Sequence, residues 1–539
     1  MHDKLIITAD GLSLQDVVDV ARNDRKISIS PALLEQFDAT KAYIAEHWMH
    51  DEAPLIYSLN TGVGSFKDRR VDGSDIEPYQ RNLILSHATG LGEPFARDVV
   101  RATLLLRLNA FAADVSGISS LLAQRFVDFL NAGLTPVMPC QGSVGASGDL
   151  APLAHLSGAL CGFAEAEIDY QGKRLAAREA IVQAGLEVNP ALGAKDASAM
   201  LNGSTVSLAV AALAVADAEN LTRHADLGLA LSLEAMRGEK DAFDPALHAT
   251  RPHKGQALVA RNVMAMVGQS RRMTPAARDL IFPGEERVPG LPASQRVQDP
   301  YSMRCAPQVH GPARDALAYV RGVIETEINS ATDNPLILHD GENRRAISGG
   351  HFHGQYIAQA MDFLAIALSD LASICERRVA RLIDPVMSFG LMRNLASGVP
   401  GLNTGYATVQ CSLSSLVMEN RSLATPGSVD SIPGKGNAED HVSNSTWCAR
   451  KAAMVTVNTS TVVAGEILVA AQALSMVDDA AAKFPLADPT RAIVGALREV
   501  IPLRQDGDVW FAADINCARA LIESASLLGA LDSAGVKIE

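Results

Sequence analysis

Stretches that are apolar almost all the way round constrain this chain most. ASAMLNGSTVSLAVAALAVADA, residues 197–218, has hardly a polar face to turn to water, and a helix of that kind has to be covered on every side. Helical periods of similar length are expected at 202–234, 311–331, 354–384, 405–423 and 447–477. The expectation is therefore a mainly α fold: a long central helical bundle over 111–539, with a smaller, loop-rich N-terminal region over 1–110. In that first region the short helical patterns Leu14–Ala21 and Pro31–His47 alternate with the Gly-rich segments YSLNTGVGSF and SHATGLGEPF. From Val99 a helical pattern runs to Gly133, a residue suited to closing a helix. The most apolar runs, Val206–Ala216 and Val462–Leu474, fall short of the roughly 18–20 residues a bilayer requires. They read as buried helices, and no membrane partner is expected.

Charge and cysteine content narrow the function classes. With 47 Lys and Arg against 61 Asp and Glu, the net charge is -14, the wrong sign for a protein that must displace counterions from phosphates. No nucleic-acid partner is expected. The seven cysteines are scattered without CxxC spacing, which suggests neither a disulfide framework nor a zinc site. A reducing, cytoplasmic setting fits, and MHDKLIITADGLSLQDVV meets acidic residues before it can build a signal-peptide core.

Chemistry is expected in the irregular segments 137–152, 284–310 and 424–446, which are rich in Gly, Pro, Asn or charge. Residues 141–156 read QGSVGASGDLAPLAHL, a flexible segment leading into a helix whose first turn holds Asp149 and Pro152. Taken alone, such a run could be a loop and a helix cap. GSVGASGDLAPLAH, however, closely resembles the signature of the aromatic amino acid ammonia-lyase and aminomutase family. That resemblance implies cyclisation of Ala146-Ser147-Gly148 to 4-methylideneimidazol-5-one. Glycine at 148 lets its nitrogen approach the Ala146 carbonyl, and loss of water from Ser147 leaves an exocyclic methylene. Ordinary side chains are not electrophiles, so turning an amino group into a leaving group needs a cofactor or chemistry of this self-made kind. A helix N-terminus behind it adds positive partial charge.

The same resemblance covers almost the whole chain and implies further roles. In IYSLNTGVG, Tyr57 matches a tyrosine that removes a β-proton, although Ser58 and Val63 stand where Gly and Phe are common. A phenol with a pKa of about 10 needs positive surroundings for that work. In RVQDPYSMRCAPQVHG, Arg304 matches an arginine that grips the substrate carboxylate with its planar fork, with Tyr301 and Gln298 as companions near the electrophile. Asn202 in SAMLNGSTVS corresponds to an asparagine beside the ring oxygen. TDNPLI and SGGHFHGQYIA follow the family's order: Phe352 would pack over the electrophile, and His351 replaces the usual Asn.

Two positions favour histidine as the substrate. His87 in LSHATG would hydrogen-bond an imidazole, and Glu439 in ATPGSVDSIPGKGNAEDHVS matches an acidic residue of the histidine branch. Ala438 in place of Gln and the HFHGQY run lean towards tyrosine lyases and aminomutases, and His87 could equally meet a phenol. The expected activity is a carbon-nitrogen lyase converting L-histidine to trans-urocanate. The alternatives are a tyrosine or phenylalanine ammonia-lyase, or a 2,3-aminomutase. The family also implies a homotetramer with sites built from more than one subunit. No metal and no external cofactor are expected.

Overall fold

The computed structural model describes residues 4–188, 190–278, 297–434, 438–476 and 482–539. It is mainly α-helical, and the strands form only small two- and three-stranded sheets among the described residues. The five long helices expected from the pattern are present as Thr205–Ala235, Ala306–Ile328, Gln355–Leu382, Ala407–Leu423 and Ser445–Ser475. The two short N-terminal patterns are the helices Leu14–Arg22 and Pro31–Trp48. The first is closed by a reciprocal cap, in which Asp16 N donates to Ser13 Oγ and Ser13 N donates to the Asp16 carboxylate.

Three readings change. The pattern from Val99 to Gly133 is two helices, Arg97–Phe111 and Ser120–Ala132, the second ending as expected on left-handed Gly133. The chain breaks between them because Asp114 and Gly117 take positive φ and Ser119 caps the next helix through Leu122 N. The segment expected to be irregular at 284–310 is helical at Tyr301–Arg304 and from Ala306 onward; its part at 284–296 lies outside the described residues. The third concerns the apolar runs, which sit inside longer helices. Thr205–Ala235, Gln355–Leu382 and Ser445–Ser475 are each long and apolar enough, by length and composition, to cross a membrane, and 78%, 61% and 67% of their most apolar windows are buried in the protein. Alanine and aliphatic residues continue each helix past the ends of those runs.

The chain forms two compact units, each assembled from separated stretches. The first comprises Met1–Ala216, Arg321–Asp362 and Pro426–Lys451. Its core is Ala- and Leu-rich, with Phe111 set edge-on against Phe126 at 5.7 Å, each such side chain contributing about 2 kcal/mol on burial. The second comprises Asp217–Val320, Phe363–Thr425 and Ala452–Glu539. There a Cβ at Gly465 would come within 2.5 Å of Leu413 Cδ1, so two long helices cross where one lacks a side chain, and Asn420 Nδ2 donates to Thr459 Oγ1 beside that crossing.

Candidate active site

Short strands Leu91–Pro94 and Pro139–Gln141 pair antiparallel and deliver the chain into the Ala146-Ser147-Gly148 loop, which runs into helix Leu150–Leu160. Ser147 has φ +57 and Gly148 φ +80, two left-handed residues in succession. Such backbone is costly for any residue with a Cβ, by about 1–2 kcal/mol. Gly148 lies in a parallel bridge with Gly203, and Asp149 N donates to Gly203 O at 2.8 Å. A Cβ on Gly148 would overlap the Gly203 carbonyl and stand 2.7 Å from its Cα. Glycine at 148 is thus demanded by a neighbouring backbone as well as by its own dihedral. Gly203 is braced in turn by Arg107, fully buried, whose Nη1 donates to Thr205 Oγ1 and Thr332 O at 3.2 Å each. Burial lowers that guanidinium to about 10, and Asp333 opposes the shift. Asp333 pairs with buried Lys195 at 2.8 Å, while Asn334 Oδ1 accepts from Gly349 N. The TDNPLI block therefore anchors both Gly203 and the segment leading to Phe352.

Asp149 has a larger part than capping. It is the N-cap residue of its own helix but makes no side-chain cap there. Its fully buried carboxylate accepts instead from Ser207 N at 2.7 Å, Ser207 Oγ at 2.9 Å, Thr446 Oγ1 at 2.6 Å and Ser143 Oγ at 3.2 Å. Burial pushes the carboxyl above its ordinary range, against the pull of these donors. The knot joins the tripeptide loop to the first turns of Thr205–Ala235 and Ser445–Ser475, so three helix N-termini meet at this loop and bring positive partial charge to it. Asn444 N, donating to Val144 O at 2.9 Å, fixes the loop's other side. Asn202, buried next to Gly203, has an Oδ1 with no hydrogen-bond partner, an acceptor that the fold leaves unused.

The remaining first-unit candidates lie on loops and helix ends. Tyr57 is half-buried, its hydroxyl accepting from Gly64 N at 3.3 Å. Ser58 beside it has φ +56, and its buried Oγ has no partner; the glycine common at this point would satisfy that backbone. Ser58→Gly is expected to stabilise the protein by about 1 kcal/mol, read as a higher urea midpoint; an unchanged or lower midpoint would mean that the turn carries no strain. Tyr79, not marked by the sequence, has a buried hydroxyl without a partner, and burial, with Tyr57 adding to it, raises its pKa.

His87 ends helix Ile76–His87 and directs Nδ1 to Leu83 O at 2.8 Å. A carbonyl only accepts, so Nδ1 carries the proton and Nε2 of the neutral ring is an acceptor. His155 Nε2 accepts from Gly90 N at 3.0 Å and ties the loop after His87 to the helix after the tripeptide. Phe352 and Glu439 are half-buried, and the imidazoles that follow them in the chain, His353 and His441, meet at 3.3 Å.

In the second unit, Tyr301 and Arg304 lie on the one-turn helix Tyr301–Arg304 with exposed Gln298 just before it. Arg304 Nε donates to Asp299 O at 2.7 Å, and its guanidinium lies 4.7 Å from the centre of the Tyr301 ring. Tyr301 is 71% exposed. Among the described residues no cluster of His, Cys, Asp and Glu is arranged to hold a metal ion.

A mainly helical fold with a strained Ala-Ser-Gly loop at converging helix N-termini defines a class, and the aromatic amino acid lyase profile matches residues 12–499. The chain belongs to the aromatic amino acid lyase family. Among its relatives, the histidine ammonia-lyase of Gloeobacter violaceus is 43% identical over 532 residues, spanning 96% of this chain and 99% of that one. The crystal structure of histidine ammonia-lyase from Trypanosoma cruzi superposes with a TM-score of 0.86 at 32% identity, covering 98% and 95% of the two chains. Tyrosine aminomutase from Streptomyces globisporus superposes at 0.89 with 30% identity over 99% and 100%.

Proposed function

We propose that this protein eliminates ammonia from L-histidine to give trans-urocanate, a carbon-nitrogen lyase reaction. The observation that carries the reading is the tripeptide itself: left-handed Ser147 and Gly148 clamped on Gly203, beside an Asn202 carbonyl with no partner. These residues fit 4-methylideneimidazol-5-one formed from Ala146, Ser147 and Gly148, with Asn202 next to it. That ring supplies an electron-poor methylene carbon, which makes the substrate's amino group a leaving group. Arg304 grips the carboxylate through its fork. His87 accepts the imidazole N–H at Nε2, and Glu439 gives a second, anionic contact to the imidazole or amine. Tyr57 takes the β-proton, and the unsaturated acid and ammonia leave. Gln298 and Tyr301 line the site, and Phe352 closes the apolar side.

We read the assembly as a homotetramer with shared sites. Exposed Tyr301, together with exposed Tyr356, Phe363, Met418 and Trp447 on the long helices, supports that reading. Seven free cysteines support a cytoplasmic setting. The test is to incubate the purified protein separately with L-histidine, L-tyrosine and L-phenylalanine, following each unsaturated acid in the ultraviolet and assaying for β-amino acids. Urocanate from histidine alone is the expected result. Coumarate or cinnamate would overturn the substrate, and a β-amino acid would overturn the reaction class in favour of an aminomutase.

A further inference from the structure

The one-turn helix Tyr301–Arg304 is too short to hold its own shape, since the cost of a first helical turn is repaid only over many further residues. Its side chains nevertheless have to meet a substrate within a fraction of an ångström. Arg378, on helix Gln355–Leu382 and fully buried, supplies a fixed point. Its Nη1 donates at 3.2 Å to the carbonyl of Ser302, midway between Tyr301 and Arg304. The rest of the guanidinium is held on every side. Glu466 takes Nε at 2.5 Å and Nη2 at 2.8 Å in a two-pronged pair, and Ser232 Oγ donates to the same carboxylate at 2.7 Å. Nη2 also meets Cys375 Sγ at 3.1 Å and His310 Nε2 at 3.3 Å. His310 gives Nδ1 to Asp226 at 2.9 Å, and Asp226 is held further by Arg314 and by Asn262.

Neutral His310 with its proton on Nδ1 offers Nε2 as an acceptor, consistent with the burial that lowers its pKa. Burial alone would also lower Arg378, but the Glu466 charge raises it. The guanidinium is therefore a permanent cation in one orientation. From the other side, Asp299 Oδ2 accepts from Glu239 N at 2.6 Å, while the Asp299 carbonyl accepts from Arg304 Nε.

We infer that Arg378, locked by Glu466, is a positioning residue that sets the Tyr301–Arg304 turn so that the Arg304 fork faces the substrate carboxylate. The inference rests on the reading of Arg304 as the carboxylate grip. A lysine at 378 can still meet Glu466, but its single ammonium cannot hold the Ser302 carbonyl in the same fixed geometry. Arg378→Met with Glu466→Leu removes the whole pair at similar volume and strands no charge.

The experiment measures calorimetric binding to the assembled protein as purified, using two ligands that share the imidazole. Imidazole-4-propionate carries a carboxylate and cannot undergo elimination; L-histidinol has an alcohol in that place. Arg378→Lys and the double variant are each expected to weaken imidazole-4-propionate about tenfold and histidinol less than about twofold, the loss of one well-aimed charged hydrogen bond. Arg304→Gln, measured beside them, must show the same selectivity. If Arg304→Gln is selective and the Arg378 variants bind both ligands as the parent does, the positioning role is overturned and the Arg304 reading stands. Equal weakening of both ligands by the Arg378 variants overturns it as well, because that is general disruption. An unselective Arg304→Gln overturns the Arg304 reading and the inference with it.

Discussion

Ser147→Ala is expected to give a folded protein that forms no measurable urocanate, with kcat falling at least ~10^3-fold, equivalent to about 4 kcal/mol of barrier. Fold and chemistry can be separated here because the substitution leaves the backbone demand untouched. Residue 147 sits at φ +57, where alanine, with a Cβ like serine's, meets the same demand, and the brackets that hold the loop come from Asp149, Asn444 and Gly203. Stability should stay within about 0.5 kcal/mol of the parent. What disappears is the hydroxyl whose loss would create the proposed electrophile, and ordinary side chains do not supply one. Intact mass gives an independent readout: the parent should be lighter than its sequence by two waters, and Ser147→Ala should not. Turnover in Ser147→Ala above about 1% of the parent rate, or a parent at full sequence mass with full activity, would remove the self-made electrophile from the mechanism; one per cent corresponds to less than 3 kcal/mol of barrier.

The parts legible in the sequence were those encoded locally. Long helices such as Gln355–Leu382 and Ala407–Leu423 fall almost where the apolar period places them, because no proline or glycine cluster interrupts them and tertiary packing reinforces the same pattern. The Ala-Ser-Gly segment was legible because it is contiguous. Partnerships between distant residues were not. Asp149 looks like an ordinary helix cap, yet its carboxylate bonds Ser207, 58 residues away, and Thr446, 297 residues away. Nothing in the spacing of these residues announces the contact. Arg378 and Glu466 read as polar interruptions in apolar helices and turn out to be a buried pair 88 residues apart. The break between Phe111 and Ser120 was missed because ADVSGI keeps enough apolar character to look like a continuing helix, while the backbone reversal is set by Asp114 and Gly117 against partners from other segments.

Lowering the pH from about 7.5 to about 5 is expected to destabilise the protein through its buried histidines, and His224 is the clearest of them. It lies fully buried on helix Thr205–Ala235, gives Nδ1 to Asn220 O at 2.9 Å, and has an Nε2 with no partner. Burial lowers its pKa from the ordinary 6.5 to about 4, and the bond to Asn220 only partly offsets this. Burial lowers His310 and His155 in the same direction. The sign follows from proton counting. Below pH 6.5 the unfolded chain binds a proton at residue 224 that the folded protein refuses until about pH 4, so the contribution is fully present above 6.5 and is lost as the pH falls through that window. The slope is about 1.4 kcal/mol per pH unit for each such proton, and the whole shift at residue 224 amounts to about 3 kcal/mol. Buried carboxyls such as Glu234, which burial raises, act with the opposite sign, so the parent's acid response alone does not isolate the histidine. His224→Leu does. It removes the titrating ring and the unpartnered nitrogen at similar volume, and its urea unfolding free energy should gain on the parent's by about 2 kcal/mol between pH 6.5 and pH 5. Parallel pH profiles for the two proteins would mean that His224 takes up its proton in the folded state as readily as in the unfolded chain, and that the helix at this point opens to water.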